Sequence, residues 1–207
     1  MITIFTIVIL ILSVIAHELS HGYMADFLGD PTARLAGRLT INPLKHIDIY
    51  GSIIVPIITS LFGFTFGWAK PVPYNPYNLK NKRSGEFLIA IAGPVTNIMI
   101  ALVFGILVRL VIGYSGHLSN TFISSFVTIS SYIVVINIVL AIFNIIPVPP
   151  LDGSKILFSI LPHQHSRTRQ ILESYSFVLV LIVAFFLWQF IMPIIPWVFH
   201  LITGVGV

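Results

Sequence analysis

The chain has 207 residues, 57% of them hydrophobic and only 9% charged, with a net charge of +4 and no cysteine. A soluble core of this size could not bury so much apolar surface, which excludes a water-soluble globule and leaves an all-α polytopic protein of the lipid bilayer. The basic balance does not point to nucleic acid, because most Lys and Arg fall in short segments between apolar stretches, where the positive-inside rule accounts for them. Without Cys there are no disulfides and no thiolate ligands, so any metal must be held by His and carboxylate.

Residues 2–28 are apolar from the start with no basic segment ahead of them, which argues against a cleaved signal peptide and for a first spanning helix. Gly29-Asp30-Pro31 is expected to end it. Toward its C-terminal end lies Ala16-His17-Glu18-Leu19-Ser20-His21-Gly22. On a helix, His17 and His21 stand one turn apart on one face, so both imidazoles can reach one ion, and Glu18 lies beside that face. Two His and one further ligand hold zinc with a fourth position open to water, and a neighbouring carboxylate can accept that water's proton. The short pattern alone occurs in many soluble helices. Within an apolar span, however, each ionisable group costs about 2.5–3.5 kcal/mol, and metal coordination gives three of them a purpose.

In 32–49, Arg34, Arg38, Lys45 and Asp48 interleave with Leu35, Leu39 and Ile41, which predicts short extended segments. The stretch 51–68 is apolar but is interrupted by Pro56, Gly63 and Gly67. Since about 20 residues are needed to cross a bilayer, it is a marginal span, and a re-entrant hairpin or buried extended loop is the alternative. Pro71, Pro73, Pro76 and the run Lys80-Asn81-Lys82-Arg83 make 69–85 a basic loop.

A second span is expected at 86–112, containing Gly93-Pro94-Val95-Thr96-Asn97. Pro94 should kink it, and Asn97 suits either an interhelical hydrogen bond or a place near a substrate. A polar turn without Lys or Arg at 113–121 leads to a third span at 122–146. That span runs into Asn144-Ile145-Ile146-Pro147-Val148-Pro149-Pro150-Leu151-Asp152-Gly153, where the prolines must unwind the helix. An Asp-Gly pair is ordinarily a turn, yet a zinc site still short of one ligand makes Asp152 the candidate. The segment 155–173 is basic and loop-like, and its His163 and His165 read as solvated side chains, while His46, His117 and His200 stand alone. A last apolar stretch, 174–202, should be bent or broken near Pro193 and Pro196, with Trp188 and Trp197 as interface anchors.

If 51–68 crossed the bilayer completely, Asp152 would emerge on the side opposite His17 and His21. A re-entrant course instead puts the zinc motif and both basic segments, 69–85 and 147–173, on one side. The expectation is one domain, 1–207, with four full spans: a three-helix catalytic core over about 2–161 and a C-terminal span over about 174–202. Both termini then lie on the non-cytoplasmic side and the active site toward the cytoplasmic face.

The order of His17-Glu18-Leu19-Ser20-His21, Gly93-Pro94-Val95-Thr96-Asn97 and Asn144 through Asp152-Gly153 resembles the site-2 protease family of intramembrane zinc metalloproteases, over about 14–161. Gly67-Trp68-Ala69-Lys70-Pro71-Val72-Pro73 resembles a compact prokaryotic branch of that family. The resemblance implies a prokaryotic cell-membrane enzyme in which His17, His21 and Asp152 bind one zinc ion and Glu18 is the general base. It implies that Asn144 holds the substrate or the oxyanion, a role for which Asn97 is a further candidate. The substrate would be a transmembrane segment of another protein, cut in regulated intramembrane proteolysis, and a membrane-embedded sheet or re-entrant loop would lie between the first two core helices. A metal transporter or a non-proteolytic zinc-binding scaffold is the rival reading, and it gives Glu18 no duty.

Overall fold

A computed structural model describes residues 2–61, 67–115, 121–161, 166–183, 186 and 188–206. Helix α1 spans Ile2–Phe27. It stops where the sequence places its end. Gly29 takes φ of 103°, a left-handed conformation that favours glycine, and the Asp30 N–H closes onto the Ala25 carbonyl at 2.9 Å. The first half of α1 turns Ile4, Phe5, Ile7, Val8 and Leu12 outward. So broad an exposed apolar face is suited to lipid rather than water.

A short helix α2 (Thr32–Leu35), a 3₁₀ turn at Pro43–Lys45, a π-helical turn at Ile49–Ile54 and helix α3 (Val55–Ser60) follow. This corrects the expected extended segments, for there is no strand among the described residues. The cause is local capping. Asn42 Oδ1 accepts from the Leu44 N–H at 3.0 Å and Asp48 Oδ1 from the Gly51 N–H at 2.7 Å, so polar residues spaced as in a strand start helical turns instead. Gly63 lies outside the described residues, as do His117, His163 and His165.

Residues 67–75 run without regular secondary structure and are tied down by two buried side chains. Asp30 accepts from the Asn75 N–H at 2.5 Å, from Asn78 Nδ2 at 2.7 Å and from the Thr32 hydroxyl at 2.5 Å. Arg38 Nη2 donates to the carbonyls of Lys70 at 2.8 Å and Pro71 at 3.3 Å.

Helix α4 (Lys82–Ser115) runs unbroken through Pro94, and α5 (Thr121–Ile145) ends where the prolines begin. Helix α6 opens at Asp152 and extends as Asp152–Ile160, followed by α7 (Ser166–Ser174), so the basic segment expected as a loop is largely helical. An i, i+4 pair of Arg169 with Glu173 at 2.8 Å supports α7. In the C-terminal stretch the described residues form α8 (Ser176–Ile182), α9 (Trp188–Ile191) and α10 (Ile194–Thr203). Pro193 at the start of α10 provides one break. Among the described residues, three helices, α1, α4 and α5, are long and apolar enough to cross a membrane.

The hub is α4, which packs against α1, α5, α6 and α10. Its Ala101 meets Val134 and Ile138 of α5 and Ile195 and Phe199 of α10 in one buried cluster. Arg83, near its basic start, donates to the carbonyls of Ser159 and Ile160, capping the end of α6.

Asp30 is fully buried, and burial alone would raise its carboxyl pKa. The hydrogen bonds from Thr32, Asn78 and Asn75 outweigh this and hold it below its ordinary value. Its stabilising effect is therefore complete above the unfolded pKa of about 3.9 and is lost as pH falls through the lower folded value. Asp30→Ala should cost about 2 kcal/mol at neutral pH, because it strands buried donors. In thermal unfolding in detergent, the gap between variant and wild type should narrow as the pH drops below about 4.

Candidate active site

Three residues singled out in the sequence converge. His17 and His21 project from α1, Asp152 begins α6, and all three are buried. Both Nε2 atoms lie beside Asp152 Oδ2, at 3.0 Å for His17 and 3.1 Å for His21. Zinc bonds of about 2.0–2.1 Å at tetrahedral angles set ligand atoms about 3.3 Å apart, close to both distances to Asp152 Oδ2, and one ligand atom from each of the three residues lies within 4.8 Å of the others.

The far side of each ring is also engaged. His17 Nδ1 donates to Asn97 Oδ1 at 2.5 Å and His21 Nδ1 to the Ile89 carbonyl at 2.6 Å. A carbonyl only accepts, so His21 carries a hydrogen on Nδ1, and Nε2, beside Asp152, is the nitrogen that can meet a metal. Metal-binding imidazoles are commonly oriented in this way.

Gly93 of α4 makes the pocket for the rings. A Cβ there would stand 2.5 Å from His17 Nε2 and 2.6 Å from His21 Nε2. Only glycine lets α4 come this close, and the two imidazoles with Asp152 form a donor set that fits zinc. Asp152 Oδ1 is held by Lys155 Nζ at 3.1 Å, which leaves Oδ2 facing the histidines. In the sequence Lys155 is marked only by the basic character of 155–173.

Glu18 Oε2 accepts from the Val72 N–H at 2.9 Å, so the segment anchored by Asp30 and Arg38 reaches the zinc motif itself. Beside it is a cavity of about 480 Å³ lined by His17, Glu18, Trp68, Asn144, Asp152 and Lys155. Asn144 Nδ2 donates to the Leu140 carbonyl at 2.9 Å. Asn97 lies elsewhere, fully buried behind His17, with its Nδ2 donating to Asn137 Oδ1 at 2.8 Å. Of the two places weighed for Asn97, it occupies the interhelical one. Asn137 was not singled out in the sequence, although a lone amide in the apolar run Val134-Val135-Ile136-Asn137-Ile138 is a detectable signal.

The model of Peptidase family M50 matches residues 5–126 and 111–187. The chain belongs to peptidase family M50. Three relatives carry the name "Putative zinc metalloprotease". One of them, YwhC of Bacillus subtilis, is 36% identical over 178 residues, which is 86% of this chain and 78% of the relative. Rip2 of Mycolicibacterium smegmatis is 24% identical over 83% of this chain and 63% of its own length, and MJ0611 of Methanocaldococcus jannaschii is 36% identical over 52% and 50%. No solved structure matches the chain significantly. This M50 peptidase is a zinc metalloprotease built on apolar helices.

Gly93→Ala drives a methyl group into both imidazoles of this peptidase and should weaken zinc binding by at least about tenfold. Metal content after dialysis against a chelator, with helix content measured in parallel, checks this.

Proposed function

We propose that this M50 peptidase hydrolyses a peptide bond in or next to a transmembrane segment of another membrane protein. His17, His21 and Asp152 hold one zinc ion, and Glu18 is the general base. The observation that carries the reading is the buried convergence of the two imidazoles and Asp152 at a cavity that Glu18 and Asn144 also line. The histidines sit in α1, itself apolar and long enough to span, which favours a substrate met within the membrane.

Zinc held by His17, His21 and Asp152 would polarise a carbonyl and lower the pKa of a water to about 7. Glu18 takes the proton of the attacking water as oxygen closes on the scissile carbon, and returns it to the leaving amine as the C–N bond breaks. The Val72 N–H anchors Oε2 of Glu18, restricting the side chain and leaving Oε1 for proton transfer. Lys155 keeps Asp152 presenting a single oxygen. Asn144 commits one amide hydrogen to Leu140, and its second hydrogen and its Oδ1 remain to meet the oxyanion or a backbone N–H of an unwound substrate. Val14, Leu140, Phe143 and Val180 give that substrate an apolar wall.

Two observations support the membrane topology. The Trp68 N–H donates to the Gly51 carbonyl at 3.0 Å, so 51–68 leaves and returns at one place, as a re-entrant segment would. Gly93 lies about 16 Å along α4 from Lys82, at the end that also carries Lys80 and Arg83, which favours an active site toward the cytoplasmic face.

Glu18→Gln should retain zinc and lose cleavage by about 10²–10⁴-fold. His17→Ala and Asp152→Ala should lose the metal. These are checked by metal analysis of detergent-purified protein and by cleavage of a panel of single-span membrane proteins. Persistent proteolysis in the Glu18 variant, or full zinc occupancy without Asp152, would refute the respective role.

A further inference from the structure

We propose that Asn137, on α5, is a positioning residue that sets the ring tautomer of His17 through Asn97, and so readies His17 Nε2 for the metal. This rests on the reading of His17 as a zinc ligand. The argument starts at the far end of a buried chain of hydrogen bonds. The Ile133 carbonyl can only accept, so the Asn137 atom 2.9 Å from it is Nδ2. The second hydrogen of that Nδ2 goes to the Ser13 hydroxyl oxygen, also at 2.9 Å. Asn137 Oδ1 is thereby turned to α4, where it accepts from Asn97 Nδ2 at 2.8 Å. Asn97 must then present Oδ1 to His17, and an acceptor 2.5 Å from Nδ1 requires the imidazole hydrogen to be there. Nε2 is then the nitrogen left to meet a metal, and without one it can donate to Asp152 Oδ2, 3.0 Å away.

Each amide has one orientation because the next group along permits no other, and the chain ends on a main-chain carbonyl that cannot reverse. Asn97 and Asn137 are both fully buried and Ser13 nearly so, which excludes bulk water as a substitute. Without Asn137, Asn97 is free to turn its NH₂ toward His17. That would favour the opposite tautomer, with a hydrogen on Nε2 where a metal must bind.

The test measures zinc affinity by competition with a chelator, alongside the thermal midpoint of the metal-free protein. Asn137→Leu, close in size, should weaken zinc by about 10–100-fold. Ser13→Ala cuts the branch that does not lead to His17 and should stay within about threefold of wild type. Asn97→Asp places an acceptor-only carboxylate against Nδ1 whatever stands at 137, so Asn97→Asp combined with Asn137→Leu should recover most of the lost affinity. A packing role for Asn137 would lower the midpoint and leave zinc affinity alone, and would give no such recovery. Either result overturns the inference.

A measurement that needs no folded Asn137 variant is the ¹⁵N spectrum of metal-free wild type, with the His17 signals identified by their loss in His17→Ala. A hydrogen on Nδ1 is expected, and an Nδ1 that carries none would overturn the proposal. Zinc retained by His17→Ala would instead refute the ligand reading and leave the tautomer result standing.

Discussion

The close contact of α1 with α4 at Gly93 is the constraint on which the site depends. Polar groups inside an apolar bundle must satisfy one another, because neither lipid nor bulk water will. At this contact the imidazoles of α1 meet Asp152 on one side and the Asn97 and Ile89 oxygens of α4 on the other. The donor set is therefore finished by main chain and side chains of a neighbouring helix, and the lack of a side chain at Gly93 is what lets that helix approach.

A second set of contacts links the site to segments that have no regular structure of their own. Asp30, just past the end of α1, gathers Thr32, Asn75 and Asn78, while Arg38 holds the carbonyls of Lys70 and Pro71. Between these anchors the Val72 N–H reaches Glu18. Residues far from the zinc motif in sequence thus fix the carboxylate beside it, and an irregular segment becomes one wall of the cavity. Function carried by loops on a rigid helical frame is a common arrangement.

The chain also divides its polar residues by location. Lys80, Lys82 and Arg83 collect at the start of α4, where Arg83 ties α4 to the end of α6, while the contact of α1, α4 and α5 carries imidazoles, amides and a hydroxyl. This division fits a peptidase of the M50 family built on long apolar helices.

The three long helices, the end of α1 at Gly29 and the unwinding after α5 were legible in the sequence, because apolar run length, glycine and proline act locally. The spacing of His17, Glu18 and His21 was legible for the same reason, since one helical turn sets it. Short-range pattern misled where polar side chains competed for the backbone. Asn42 and Asp48 made turns of an apparently strand-like stretch, and an ion pair helped α7 to form in what read as a loop. Asp152 could be nominated but not measured, for its distance to the histidines depends on how α6 returns against α4. The parts that only the three-dimensional structure decided are Gly93 beneath the imidazoles, Asn97 behind His17 rather than in the cavity, Asn137 behind Asn97, Val72 of an irregular segment on Glu18, and, within one turn of α6, Lys155 on Asp152. None of these pairs is close along the chain except Lys155 with Asp152, so a one-dimensional pattern carries no record of them. Sequence thus determined the chemistry available and the helices that carry it, while packing decided which atoms face one another.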